Sequence, residues 1–84
     1  MKVTVYTRQF CPFCTMALDL LGTKGVEILE IDAGMNAAKK KEMVERSGGG
    51  RTFPQIFLGD THIGGCDDMM LLERTGKLDQ MLQG

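Results

Sequence analysis

Two cysteines two residues apart, Cys11-Pro12-Phe13-Cys14, stand between an apolar run of strand character, Val3-Thr4-Val5-Tyr6, and a segment of helical periodicity. That context makes the pair chemically informative. The first turn of a helix carries unpaired N–H groups and the positive end of the helix dipole, and both stabilise a thiolate over a thiol. In such motifs the leading cysteine's pKa falls from about 8.5 to roughly 3.5–7.5, giving the nucleophile of disulfide exchange at neutral pH. The short spacing leaves Cys14 close enough to resolve a mixed disulfide formed by Cys11. The pair reads as a redox centre.

Two further segments bear on function. Thr52-Phe53-Pro54 precedes an apolar run, and proline at a strand entrance marks a turn or an edge because it cannot donate to the ladder. Composition does not establish a cis bond there, since only about 5–6% of X–Pro bonds in folded proteins are cis. Gly64-Gly65-Cys66-Asp67-Asp68 is a glycine turn opening a helix. Its free N–H groups suit a carboxylate, and its aspartates suit an amine on the same ligand. Cys11, Cys14, His62 and Cys66 also make an alternative four-ligand set for structural zinc. For His62 a hydrogen-bonded structural role is the simpler expectation, and for Cys66 packing is simpler than catalysis.

The elements that must position these groups follow from periodicity. Val3 and Val5 alternate with Thr4 and Tyr6, as in a strand with one buried face. Phe13, Met16, Ala17, Leu20 and Leu21 form one apolar helical stripe, with Pro12 in the first turn and Gly22 or Gly25 at its end. Val26 to Ile31 is a second strand, and Asn36 caps a second helix running to about Ser47. On that helix Lys41–Glu45 and Glu42–Arg46 are spaced to pair on an exposed face. Gln55–Leu58 and Thr61–Ile63 flank Gly59-Asp60, a two-residue hairpin signal of type II′. Asp67 to about Thr75 is a third helix, and Leu78, Met81 and Leu82 suggest a short terminal helical turn. The order is βαβαββα, an α/β fold with a four-stranded mixed sheet flanked by helices. It places Cys11 beyond the carboxyl end of a central parallel strand, where open α/β sheets bind ligands.

Composition narrows the classes. With 84 residues, 43% hydrophobic and 25% charged, the chain is expected to form one domain, 1–84, with a single layered core. A net charge of -1 gives no electrostatic case for nucleic acid or a bilayer surface. No apolar stretch approaches the ~20 residues of a membrane span. The strand pattern begins at once, leaving no room for a signal peptide. Three cysteines, an odd number, argue against a secreted disulfide scaffold. A reducing cytoplasm is the expected location, and a monomer the expected state.

Taken in order, Tyr6-Thr7-Arg8, Cys11-Pro12-Phe13-Cys14, Lys24-Gly25-Val26, Arg46-Ser47-Gly48, Thr52-Phe53-Pro54-Gln55-Ile56-Phe57 and His62-Ile63-Gly64-Gly65-Cys66-Asp67-Asp68 closely resemble the glutaredoxins, particularly the small bacterial dithiol type. The resemblance covers essentially the whole chain. It implies a thioredoxin-like fold and glutathione-dependent thiol–disulfide oxidoreductase activity, with glutathione as cosubstrate and no metal. Cys11 then matches the nucleophile and Cys14 the resolving thiol. Pro54 matches a cis-proline, and the Thr52-Phe53-Pro54 segment offers the Phe53 backbone to the cysteinyl unit of glutathione. Arg8 matches a basic position near the glycyl carboxylate, with Arg51 a second candidate for it. Gly65, Cys66 and Asp67 match the part receiving the γ-glutamyl end. Phe13 stands where the family usually has tyrosine, removing any hydroxyl contact, a loss of about 0.5–1.5 kcal/mol. Phe53 replaces a smaller aliphatic residue and reshapes the groove. Glutathionylated or disulfide-containing proteins, ribonucleotide reductase among them, are the partners this implies. The family also includes iron–sulfur carriers that hold a cluster through the leading cysteine, and Pro12 disfavours that alternative.

Overall fold

The computed structural model describes residues 1–83. Its elements are β1 (Lys2–Thr7), α1 (Pro12–Gly22), β2 (Glu27–Asp32), α2 (Ala37–Arg46), β3 (Gln55–Leu58), β4 (Thr61–Gly64), α3 (Cys66–Arg74) and α4 (Lys77–Leu82). The expected order is present, and the terminal turn is a helix in its own right. The sheet order is β2-β1-β3-β4. β1 runs parallel to β2, with Val3 beside Ile28, and antiparallel to β3, with Val3 beside Leu58.

This arrangement buries β1 on both faces, not one. Val3 and Val5 pack with Ala17, Leu21, Ile56, Met69 and Leu78 on the face carrying α1, α3 and α4. Tyr6 packs with Ala33, Met43 and Phe57 on the face carrying α2. Tyrosine's polar tip concealed the second face in the sequence pattern. α1 is also turned slightly from its apolar stripe: Cys14, Ala17 and Leu21 are buried, whereas Phe13 and Met16 face outward. The rotation follows from the small, apolar Cys14, which takes an inner position and leaves Phe13 free.

The helix starts show how local sequence sets these positions. Asn36 caps α2, its Oδ1 accepting from the Lys39 N–H at 3.0 Å. At α1 the cap is Cys11 itself, followed by Pro12 at the first helical position. In the β3–β4 hairpin Gly59 has φ +58°, the left-handed value a II′ turn requires at its first central position. Leu58 pairs with Thr61 and Phe57 with His62, but a bulge then brings Gly64 opposite Ile56.

Two polar clusters tie elements together. Buried Tyr6 donates its hydroxyl proton to Glu42 Oε2 at 2.5 Å and accepts from Arg46 Nη1 at 2.8 Å. Glu42 and Arg46, expected to pair across an exposed face, instead converge on this hydroxyl. Lys24 Nζ lies 2.8 Å from both Glu73 Oε1 and Asp79 Oδ1, joining the end of α1 to α3 and α4. Among the described residues, no helix is long and apolar enough to cross a membrane.

Both clusters carry a pH signature. Burial, reinforced by the hydrogen bond to Glu42, pushes the Tyr6 hydroxyl above its ordinary 10.0. The hydrogen bonds to Asp79 and then Glu73 hold Lys24 above its ordinary 10.5. Each therefore stabilises fully below its ordinary value and loses that contribution as pH climbs through the raised folded value. Urea midpoints should fall above about pH 10, and less steeply in a Tyr6→Phe/Lys24→Met double variant. At pH 7, Tyr6→Phe removes both hydrogen bonds and should cost about 1–2 kcal/mol. An unchanged midpoint would show that the Tyr6–Glu42–Arg46 cluster does not stabilise the fold.

Candidate active site

β1 ends at Thr7, and four residues later the chain enters α1 through Cys11. Cys11 is extended, with φ -119° and ψ 94°, the usual geometry of a helix N-cap. Its Sγ accepts from the Cys14 N–H at 3.2 Å. The sulfur thus occupies the place where serine or aspartate usually puts an oxygen, and receives one of the helix's unpaired donors. Cys11 and Cys14 are joined as a disulfide. Cys11 is 7% exposed and Cys14 3%, so both residues are buried, the leading one slightly less so.

Two clefts adjoin this motif. The first, a groove of about 420 Å³, brings together Phe13, Thr52, Phe53, Pro54, Gly65, Cys66 and Asp67, seven of the residues singled out in the sequence. Its size falls within the range of small-molecule sites, roughly 300–1,000 Å³. Phe13 projects from the first turn of α1 and is 55% exposed. Across the groove the Phe53–Pro54 bond is cis, and Pro54 is buried at the entrance to β3.

The far end of the groove is the start of α3. This helix begins at Cys66, one residue earlier than expected, because Gly65 takes the N-cap. The Asp68 carboxylate reaches back to accept from the Gly65 N–H at 3.0 Å. That leaves Asp67, also exposed, with its carboxylate open to a cationic group. Cys66 is a free cysteine, 5% exposed, and packs into the same cluster as Val3 and Met69. Burial, with the Asp67 carboxylate adding to it, pushes its thiol up from the ordinary value. A neutral packed thiol agrees with the structural reading of this residue.

Arg8 and Arg51 are not on the groove lining. Arg8 lies on the second cleft, of about 460 Å³, with Phe10, Cys11, Cys14 and Glu30. Its Nη1 donates to the carbonyls of Gln9 at 3.0 Å and Phe10 at 3.2 Å. Arg51 is exposed beside the groove segment. The lining also includes Gln55, His62 and Asp68, which the resemblance did not assign to glutathione contact. Gln55 Nε2 donates to Thr52 O at 2.9 Å and Oγ1 at 3.1 Å, securing the turn before Pro54. This fixes the amide so that Oε1 accepts from His62 Nε2 at 2.7 Å. A signal for this existed: a two-residue turn at Gly59-Asp60 sets Phe57 opposite His62, and Gln55 lies on the same face of β3 as Phe57. Among the described residues, no three His, Cys, Asp or Glu side chains gather as a metal-ligand set, so Cys11, Cys14, His62 and Cys66 do not form the zinc site considered from sequence.

A thiol pair at a helix start, beside a groove with a cis-proline wall and a second helix N-terminus, is a constellation that can be compared with known proteins. Residues 3–63 match the Glutaredoxin family model. Over 82 residues the chain is 48% identical to Glutaredoxin 3 of Escherichia coli (strain K12), covering 98% of each. The solution structure of glutaredoxin from Brucella melitensis superposes with a TM-score of 0.82 at 52% identity, covering 98% of this chain and 88% of that one. A buckwheat glutaredoxin–glutathione complex superposes with a TM-score of 0.85 at 31% identity, covering 96% of this chain and 76% of that one. The chain therefore has the thioredoxin-like fold of these proteins and belongs to the glutaredoxin family.

Proposed function

We propose that the protein reduces protein–glutathione mixed disulfides and protein disulfides, with Cys11 as nucleophile, Cys14 as resolving thiol and glutathione as reductant. The observation that carries this reading is the Cys11 sulfur at the α1 N-cap, accepting the Cys14 N–H while linked to Cys14. After reduction the same donor favours the Cys11 thiolate.

With a glutathionylated protein, the Cys11 thiolate bonds to the glutathione sulfur and the protein sulfur leaves as a thiolate. A second glutathione thiolate then bonds to the first glutathione's sulfur. Oxidised glutathione departs, and the electron pair of the broken bond returns to Cys11. With a protein disulfide, Cys11 bonds to one target sulfur and expels the other. The Cys14 thiolate then attacks Cys11 Sγ, freeing the target thiol and leaving the Cys11–Cys14 disulfide. Two glutathiones regenerate the dithiol. The rate balances nucleophilicity against leaving-group quality, because a lower thiol pKa aids departure but weakens attack.

In this reading glutathione lies along the first groove. The Phe53 backbone beside Pro54 pairs with its cysteinyl unit, and the free N–H groups at the start of α3 hold the γ-glutamyl carboxylate. The exposed Asp67 carboxylate takes the neighbouring amine. Phe13 supplies an apolar wall, while Thr52 is steadied through Gln55. Arg8 and Arg51, off the lining, would meet the glycyl carboxylate only from the groove's margin. The protein acts as a monomer in the reducing cytoplasm, on targets such as reductases whose disulfides cycle.

The test couples reduction of a glutathionylated peptide to glutathione reductase and NADPH. Cys11→Ser should fall to background, whereas Cys14→Ser should keep turning over that peptide. On a protein disulfide, Cys14→Ser should lose at least about tenfold, because nothing resolves the mixed disulfide intramolecularly. Activity retained by Cys11→Ser would overturn the assignment. In the reduced protein at pH 7.5, iodoacetamide should modify Cys11 at least about tenfold faster than Cys66, whose thiol is buried and neutral. Equal rates would mean that the groove floor is open.

A further inference from the structure

Phe10 has no place in the chemistry above, yet its conformation is unusual. The residue is 92% exposed, and its φ of +54° is the one positive value at a non-glycine residue among those described. Bulky side chains disfavour that region. An apolar residue just before a helix N-cap ordinarily folds onto the fourth helical residue. Here that residue is the exposed Thr15, and the ring stays in water.

The exposure is built in. Arg8 Nη1 clamps the Gln9 and Phe10 carbonyls from within the loop. From outside, Gly34 sits so close that a Cβ there would lie 2.6 Å from Arg8 Cβ. Phe10 shares the second cleft with Cys11 and Cys14 and is not on the lining of the first groove. Because the reacting sulfurs line this cleft, its occupant is defined by chemistry. It is the polypeptide around the sulfur that Cys11 attacks.

We propose that Phe10 is a specificity-determining residue for protein disulfides, its ring packing against the apolar side chain next to the target cysteine. The inference rests on the oxidoreductase reading and deepens it. Cys11 bonds to one target sulfur while the other leaves as a thiolate. During the life of that mixed disulfide, the residue beside the target cysteine is held against the cleft rim. An apolar residue there leaves water by covering Phe10, and a polar one gains nothing.

The experiment uses two disulfide-bonded peptides that differ only in the residue following the cysteine, Leu or Ser. The readout is the ratio of their kcat/KM values within each protein, which does not depend on how much of a variant is folded. The wild type should prefer the Leu peptide by about fivefold or more. Phe10→Asn keeps a residue that accepts left-handed backbone and should reduce the ratio below about twofold. Phe10→Leu should keep most of the preference. A wild-type ratio near one, or full preference in Phe10→Asn, overturns the inference. Hydroxyethyl disulfide, which has no side chain to read, separates the two levels. If the wild type does not turn it over with glutathione, the oxidoreductase reading falls, and this inference with it. If it does, a failed peptide ratio overturns only the role of Phe10.

Discussion

A helix cannot begin without something to receive its first N–H groups, and in this protein a sulfur atom meets that requirement. The Cys11 Sγ is at once the cap of α1 and, in the proposed reaction, the nucleophile. Much of the architecture bears on where that cap falls. β1 must be rigid and central, so it is paired on both edges and covered on both faces. α1 must start immediately after it, and Pro12 supports that start because its missing N–H is one the helix would leave unpaired. Cys14 must lie one turn along and inside, which the rotation of α1 towards Cys14, Ala17 and Leu21 provides.

The groove applies related physics at its far end. There the start of α3 is capped by a glycine and by a carboxylate reaching back from Asp68, not by a serine or threonine side chain. Gly64 makes this possible. Its φ is +111°, and a Cβ there would run into the Asp68 carboxylate. Phe13, in the first turn of α1, and Phe53 line the same groove, so an apolar wall accompanies the polar start of α3. Such a layout suits a small peptide with charged ends and a sulfur at its centre.

Local signals made much of this legible. Asn36, Pro12 and the Gly59-Asp60 turn each sit where the residue type alone places them, because capping, fixed φ and positive φ are properties of single residues. All of the groove lining except Gly50 falls within the ordered segments that carry the resemblance. What the pattern concealed depended on tertiary context. Tyr6 counted as polar, yet its ring fills the α2 face and only its hydroxyl needs partners. Glu42 and Arg46 have ideal spacing for a surface pair, and that spacing carries no information about a buried hydroxyl beneath them. The bulge between Ile56 and Phe57 leaves Ile63 without a partner in the register, which a period of two cannot reveal. Arg8 is basic and close in sequence to Cys11, but its observed hydrogen bonds are to backbone carbonyls of its own loop.

The contact between Gly34 and Arg8 has an entropic meaning. Ordering a loop residue costs about 1–2 kcal/mol in lost backbone freedom. Where a reactive group sits on a floppy segment, that cost recurs at every productive encounter. Here the segment leading to Cys11 is wedged by a neighbouring backbone and tied by its own guanidinium. The cost therefore falls once, when the chain folds, and in the proposed reaction each successive substrate meets a sulfur already in position.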